Sequence, residues 1–68
     1  MSLSPVEFEI LETMFLRSKP VGAAQIAIEN SKEISSTMTH LTELAHRGYI
    51  ESPQKELYTL TTEGKKIL

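Results

Sequence analysis

The chain has 68 residues, seven Lys and Arg against nine acidic residues, a formal net charge of −2 and no cysteine. Chains below about 100 residues seldom divide, so one domain is expected. Disulfide staples and thiolate metal sites are excluded, and a pocket walled by several elements hardly fits this length, which argues against an enzyme. Residues 1–31 hold Glu7, Glu9, Glu12 and Glu29 against Arg17 and Lys19, whereas residues 32–68 balance, so the acidity belongs to the first helix. No apolar run approaches the roughly 20 residues of a membrane span. Nor does a basic-then-apolar leader open the chain, and the expectation is a soluble, cytoplasmic protein that does not enter a membrane.

Ser4-Pro5-Val6-Glu7 predicts the start of a helix: a serine N-cap, proline at the first helical position and glutamate at the third form a capping box. Leu3 is placed to staple onto Phe8, and Ile10, Leu11, Met14 and Phe15 recur at helical spacing. The helix is expected over about 5–18, because Lys19 precedes Pro20 and the residue before proline disfavours the helical region. Val21-Gly22 reads as a short extended connection, a short strand between the first two helices. Residues 23–29, rich in alanine, predict a short second helix ending in the turn-prone Asn30-Ser31.

A third helix is expected after Ile34, capped by Ser35 or Ser36, with Met38, Leu41, Leu44 and Ala45 as its apolar stripe. Ser36, Thr39, His40, Glu43 and Arg47 lie opposite, and Gly48 supplies the left-handed stop. Residues 49–52 and 56–60 are β-prone and flank Pro53-Gln54-Lys55, which predicts an antiparallel hairpin with Tyr58 and Leu60 facing the core. Thr61 or Thr62 caps a last helical turn from Glu63 to Leu68.

This order is that of a winged helix-turn-helix: a mostly helical α+β fold over residues 1–68, with a three-helix core, a two-stranded β wing and a short C-terminal helix. The stretch from Ile34 to Ile50 resembles the recognition helix and following strand of MarR-type and PadR-type transcription regulators. It carries their Ser/Thr-rich start, two leucines three residues apart, a glycine, an aromatic and an isoleucine. Tyr58-Thr59-Leu60-Thr61-Thr62-Glu63-Gly64 is similar to the Leu-Thr-x-x-Gly closure of their wing.

The resemblance implies sequence-specific binding of double-stranded DNA and transcriptional regulation. Helix three would meet base edges in the major groove through Ser35, Ser36, Thr37, Thr39 and His40, and Arg47, Lys32, Gln54 and Lys55 would contact phosphates. Two to four neutralised phosphates make monomer binding weak, so a homodimer or a larger protein partner is expected to supply affinity; family members dimerise through further terminal helices. The competing reading is a winged-helix protein-interaction module, docking through acidic helix one or the weakly basic wing. No cofactor is implied. His40-x-x-Glu43-x-x-His46 is not expected to bind metal, since positions i and i+6 diverge by about 120° on a helix.

Overall fold

In the computed structural model, which describes residues 3–17 and 19–68, the elements run α1 (Pro5–Phe15), β1 (Val21–Gly22), α2 (Ala23–Glu29), α3 (Ile34–His46), β2 (Ile50–Gln54), β3 (Leu57–Leu60) and α4 (Thr62–Lys66). The fold is thus α+β, with four helices and one antiparallel sheet of order β1-β3-β2.

The capping box forms as the sequence predicts. The Glu7 amide donates to Ser4 Oγ and the Ser4 amide donates to Glu7 Oε1, both at 3.2 Å. α1 buries Ile10, Leu11 and Met14 and ends three residues before the expected limit; that limit, Ser18, lies outside the described residues. Phe15, expected in the core, is 56% exposed, and Phe8 lies at the surface while Leu3 packs on the core. Arg17 pairs with Glu29, tying the end of α1 to α2.

The Val21-Gly22 link is a strand, pairing Val21 with Tyr58 and Gly22 with Leu57. The short strand is as expected; its pairing with the hairpin, which makes the sheet three-stranded, is not legible in two residues.

α2 and α3 end in the same way. After α2, Ser31 takes a left-handed φ of 56°, the Lys32 amide donates to the Ala27 carbonyl and the Ser31 amide to the Ile28 carbonyl. After α3, Gly48 takes φ 85°, the Tyr49 amide donates to Leu44 and the Gly48 amide to Ala45. Both are Schellman closures, satisfying helix-end carbonyls that would otherwise lack partners. A Cβ on Gly48 would meet nothing within 4 Å, so only backbone strain opposes one. Opposite signs are therefore expected at matched positions. S31G should gain about 0.5–1 kcal/mol and G48A should lose about 1–2 kcal/mol, read as urea midpoints.

The hairpin differs from its expected limits. β2 continues through Ser52 and Pro53 to Gln54, leaving only Lys55 and Glu56 as the tip, with Glu56 at φ 67°. Glu51 pairs with Thr59 and Gln54 with Leu57, so Ser52 and Pro53 together oppose Tyr58. This is a β-bulge, and it accommodates a proline that has no amide to give to the ladder. The Ser52 hydroxyl lies 2.7 Å from both the Gln54 and Leu57 carbonyls and closes the bulge.

Ile10, Leu11, Met14, Val21, Ile26, Leu41, Leu44 and Ile50 form the core, with Tyr58, Leu60 and Ile67 packed on its edge. Thr61 caps α4: its Oγ1 accepts from the Gly64 amide at 3.1 Å and donates to the Gly48 carbonyl at 2.6 Å. No helix among the described residues is long and apolar enough to cross a membrane.

Candidate functional site

α3 is the element that presents the candidate residues, and the turn before it fixes its direction. Besides the Schellman bonds, Asn30 Nδ2 donates to the Ile26 carbonyl at 3.0 Å and its Oδ1 accepts from the Thr13 hydroxyl of α1 at 3.2 Å. The α2–α3 angle is therefore braced by α1. The cap of α3 is Glu33 rather than Ser35 or Ser36, with no side-chain hydrogen bond, so both serines stand inside the first turn and are exposed.

The rotation of α3 also differs from the expected one. Thr37, Leu41 and Leu44 face the core, whereas Met38 is 47% exposed and Ala45 lies at the surface. Thr37, counted among the base-reading residues, is 1% exposed and cannot reach a base edge from a folded helix. Positions 37, 41 and 44 and positions 38, 41 and 45 both satisfy helical spacing, and apolarity favours the second set. Packing on α2 and β2 selects the first and accepts one threonine in the core.

The structure sorts the remaining candidates into three groups. Ser35, Ser36 and Thr39 lie exposed on the outer face of α3, joined there by Thr42 and His46, which sequence reasoning omitted although Thr39, Thr42 and His46 recur at i, i+3 and i+7. Lys32 is exposed in the turn before α3, Gln54 at the end of β2 and Lys55 at the hairpin tip. His40 and Arg47 are the third group, and they turn toward α1. His40 Nδ1 lies 3.5 Å from Glu7 Oε2, and Arg47 Nη1 lies 3.7 Å from Glu7 Oε1.

Glu7 is 7% exposed and thus joins the capping box of α1 to one flank of α3. Burial pushes its carboxyl up, but the Ser4 amide, the His40 hydrogen bond and the nearby Arg47 and His40 charges outweigh burial and hold it below the ordinary value. The sequence signal for Glu7 was its place in the capping box; its second role needed α3 to be in position.

The other flank of α3 is apolar. Ile34 and Met38 border a groove of about 260 Å³ that Ala23 and Ala24 of α2 and Glu56 and Tyr58 of the hairpin complete. This brings the hairpin tip beside the first half of α3. A second hollow of about 270 Å³, lined by Met14, Phe15, Arg17, Thr59, Leu60 and Lys65, lies between α1, β3 and α4. Among the described residues, no three His, Cys, Asp or Glu side chains gather as a metal-binding group.

No protein-family model matches this sequence, and no curated protein matches it. The structure is similar to the crystal structure of RV1404 from Mycobacterium tuberculosis, with a TM-score of 0.88 and 21% sequence identity over 97% of this chain. That match covers 48% of RV1404, so the chain spans about half the length of this solved relative. At such identity the likeness is one of fold.

Proposed function

We propose that this chain is a winged helix-turn-helix domain of the MarR/PadR-like kind that binds double-stranded DNA and regulates transcription in the cytoplasm. α2, the braced turn and α3 form the helix-turn-helix, α3 enters the major groove, and the β2–β3 wing lies on the backbone. One observation carries this reading. The outer face of α3 is an exposed, hydroxyl-bearing stripe, held at a braced angle to α2 and flanked by the hairpin tip.

Phosphate contacts fall first to Lys32 and Lys55, with Gln54 beside them, because Arg47 and His40 are engaged by Glu7. With two to four contacts, raising salt from 50 to 200 mM should weaken binding roughly 10- to 150-fold, at a slope near −0.9 per contact. Fluorescence anisotropy on duplex DNA measures this, and K32A/K55A should flatten the slope by about 2. No salt-dependent binding at tens of micromolar protein would overturn the proposal.

A specific observation also favours protein docking. Phe15 is 56% and Leu16 83% exposed at the end of α1, an apolar pair whose aromatic member is of a type enriched at interfaces. It suits a homodimer or a larger protein partner, and sedimentation of the wild type beside F15S/L16S distinguishes a self-associating chain from a monomer.

A further inference from the structure

The exposed side of α3 is less polar than its residue names suggest. Thr39 Oγ1 donates to the Ser35 carbonyl at 3.1 Å, and Thr42 Oγ1 donates to the Met38 carbonyl at 2.9 Å. A threonine hydroxyl has one proton, and here each is spent on the helix's own backbone. Both residues are exposed, so the branch left to a ligand is the methyl, beside an oxygen that can accept but no longer donate. Ile34, Met38 and Thr42 follow one another at i, i+4 and i+8, with Thr39 alongside, and Ile34 and Met38 are 50% and 47% exposed. These four residues make a continuous apolar strip, about 12 Å long at 1.5 Å per residue.

The strip has a definite complement among base edges. Guanine presents two acceptors in the major groove, and adenine is read by a side chain that donates to N7 while accepting from N6. The strip has no Arg, Lys, Asn or Gln and no free hydroxyl proton to offer either base; against the cytosine N4 and adenine N6 donors it sets only the two threonine oxygens, while Ile34 and Met38 carry neither oxygen nor nitrogen. Thymine alone presents a methyl group there, and aliphatic side chains and threonine methyls are its usual contacts. The strip length matches three or four stacked base pairs at about 3.4 Å each. Ser35 is interleaved with these residues on the exposed surface, so the strip is continuous with the proposed reading face.

We propose that Ile34, Met38 and the methyls of Thr39 and Thr42 are specificity determinants that select thymine-bearing sites through the C5-methyl group. This inference rests on the DNA-binding reading above and adds to it the base chemistry that is recognised. His46 and the serines remain the donors for any neighbouring guanine.

The test uses the wild-type chain and a duplex enriched from a random pool by that chain. Its affinity is compared with that of the same duplex carrying deoxyuridine at each thymine in turn, a change that removes only the methyl. Binding should weaken about fourfold for each contacted methyl, the usual worth of burying one such group. I34S/M38S, altered only at exposed positions, should keep the wild-type circular dichroism and lose most of the thymine–uracil difference. Equal binding of the two duplexes by the wild type would overturn methyl selection and leave DNA binding intact. Failure to enrich or bind any duplex would overturn both. Self-association of the wild type that I34S/M38S abolishes would assign the strip to a protein interface and overturn the proposal as well.

Discussion

G64A is expected to remove a large part of the protein's stability, about 3 kcal/mol or more, although it adds a single methyl group. A Cβ at Gly64 would lie 2.1 Å from the Tyr49 carbonyl oxygen and 3.1 Å from Leu60 Cδ2. The carbonyl cannot simply retreat, since it accepts from the Thr61 amide at 3.1 Å. Next to it, Thr61 Oγ1 ties the Gly48 carbonyl to the Gly64 amide, so the first turn of α4 is bolted to the segment leaving α3. Relieving the clash means lifting α4 away and exposing Ile67 and Leu60, which pack on the core. A domain of this size has about 3–10 kcal/mol in total at 0.05–0.15 kcal/mol per residue. The melting temperature followed by circular dichroism should fall by about 12–24 °C. The milder G48A, where nothing obstructs the new methyl, is the natural comparison. A loss for G64A no larger than that for G48A would mean that α4 is not docked in this way.

E7Q is expected to be the most destabilising change of a polar side chain, about 1–2 kcal/mol at neutral pH, and to alter the acid limb of stability. Glutamine keeps the volume but removes the charge that the Ser4 amide, His40 and Arg47 surround. The folded-state pKa of Glu7 is depressed, so the unfolded chain binds the proton more readily. Its contribution is present in full above the ordinary carboxylate value and is lost as pH falls through the lower folded value. Urea midpoints from pH 7 to pH 3 should show wild type and E7Q converging with acid. A constant gap at every pH would refute the assignment of charge to this cluster. The same substitution releases Arg47 from its carboxylate, so under the proposed function the salt slope of DNA binding should steepen by about 0.9.

Glu7 also shows why part of the site could not be read from the chain. Its capping role depends on Ser4 three residues away, and spacing alone reveals it. Its pairing with His40, 33 residues distant, depends on how α1 and α3 cross. The same division runs through α3. The stop at Gly48 is local and legible, whereas the rotation that buries Thr37 and exposes Met38 reflects what α2 and β2 offer as packing partners. Helical periodicity places His40 and Arg47 on the exposed face; in the structure they lie on its flank, where 29% and 32% of their side chains remain accessible. The pairing of β1 with β3 and the passage of β2 through Pro53 are not legible in the chain, because strand pairing is a property of two segments.

The absence of cysteine excludes disulfides and thiolate metal sites within these 68 residues, and short-range signals set most of the helix ends. Those signals act within three or four residues, the reach of a cap, a turn or one helical repeat, and they survive in the sequence unaided. Tertiary structure decided the rest: the pairing of β1 with the hairpin, the rotation of α3, the burial of Glu7 and the apolar flank formed by Ile34 and Met38. Each of these arises from contact between segments far apart in the chain, where burial and pairing choose among arrangements that local spacing leaves equivalent.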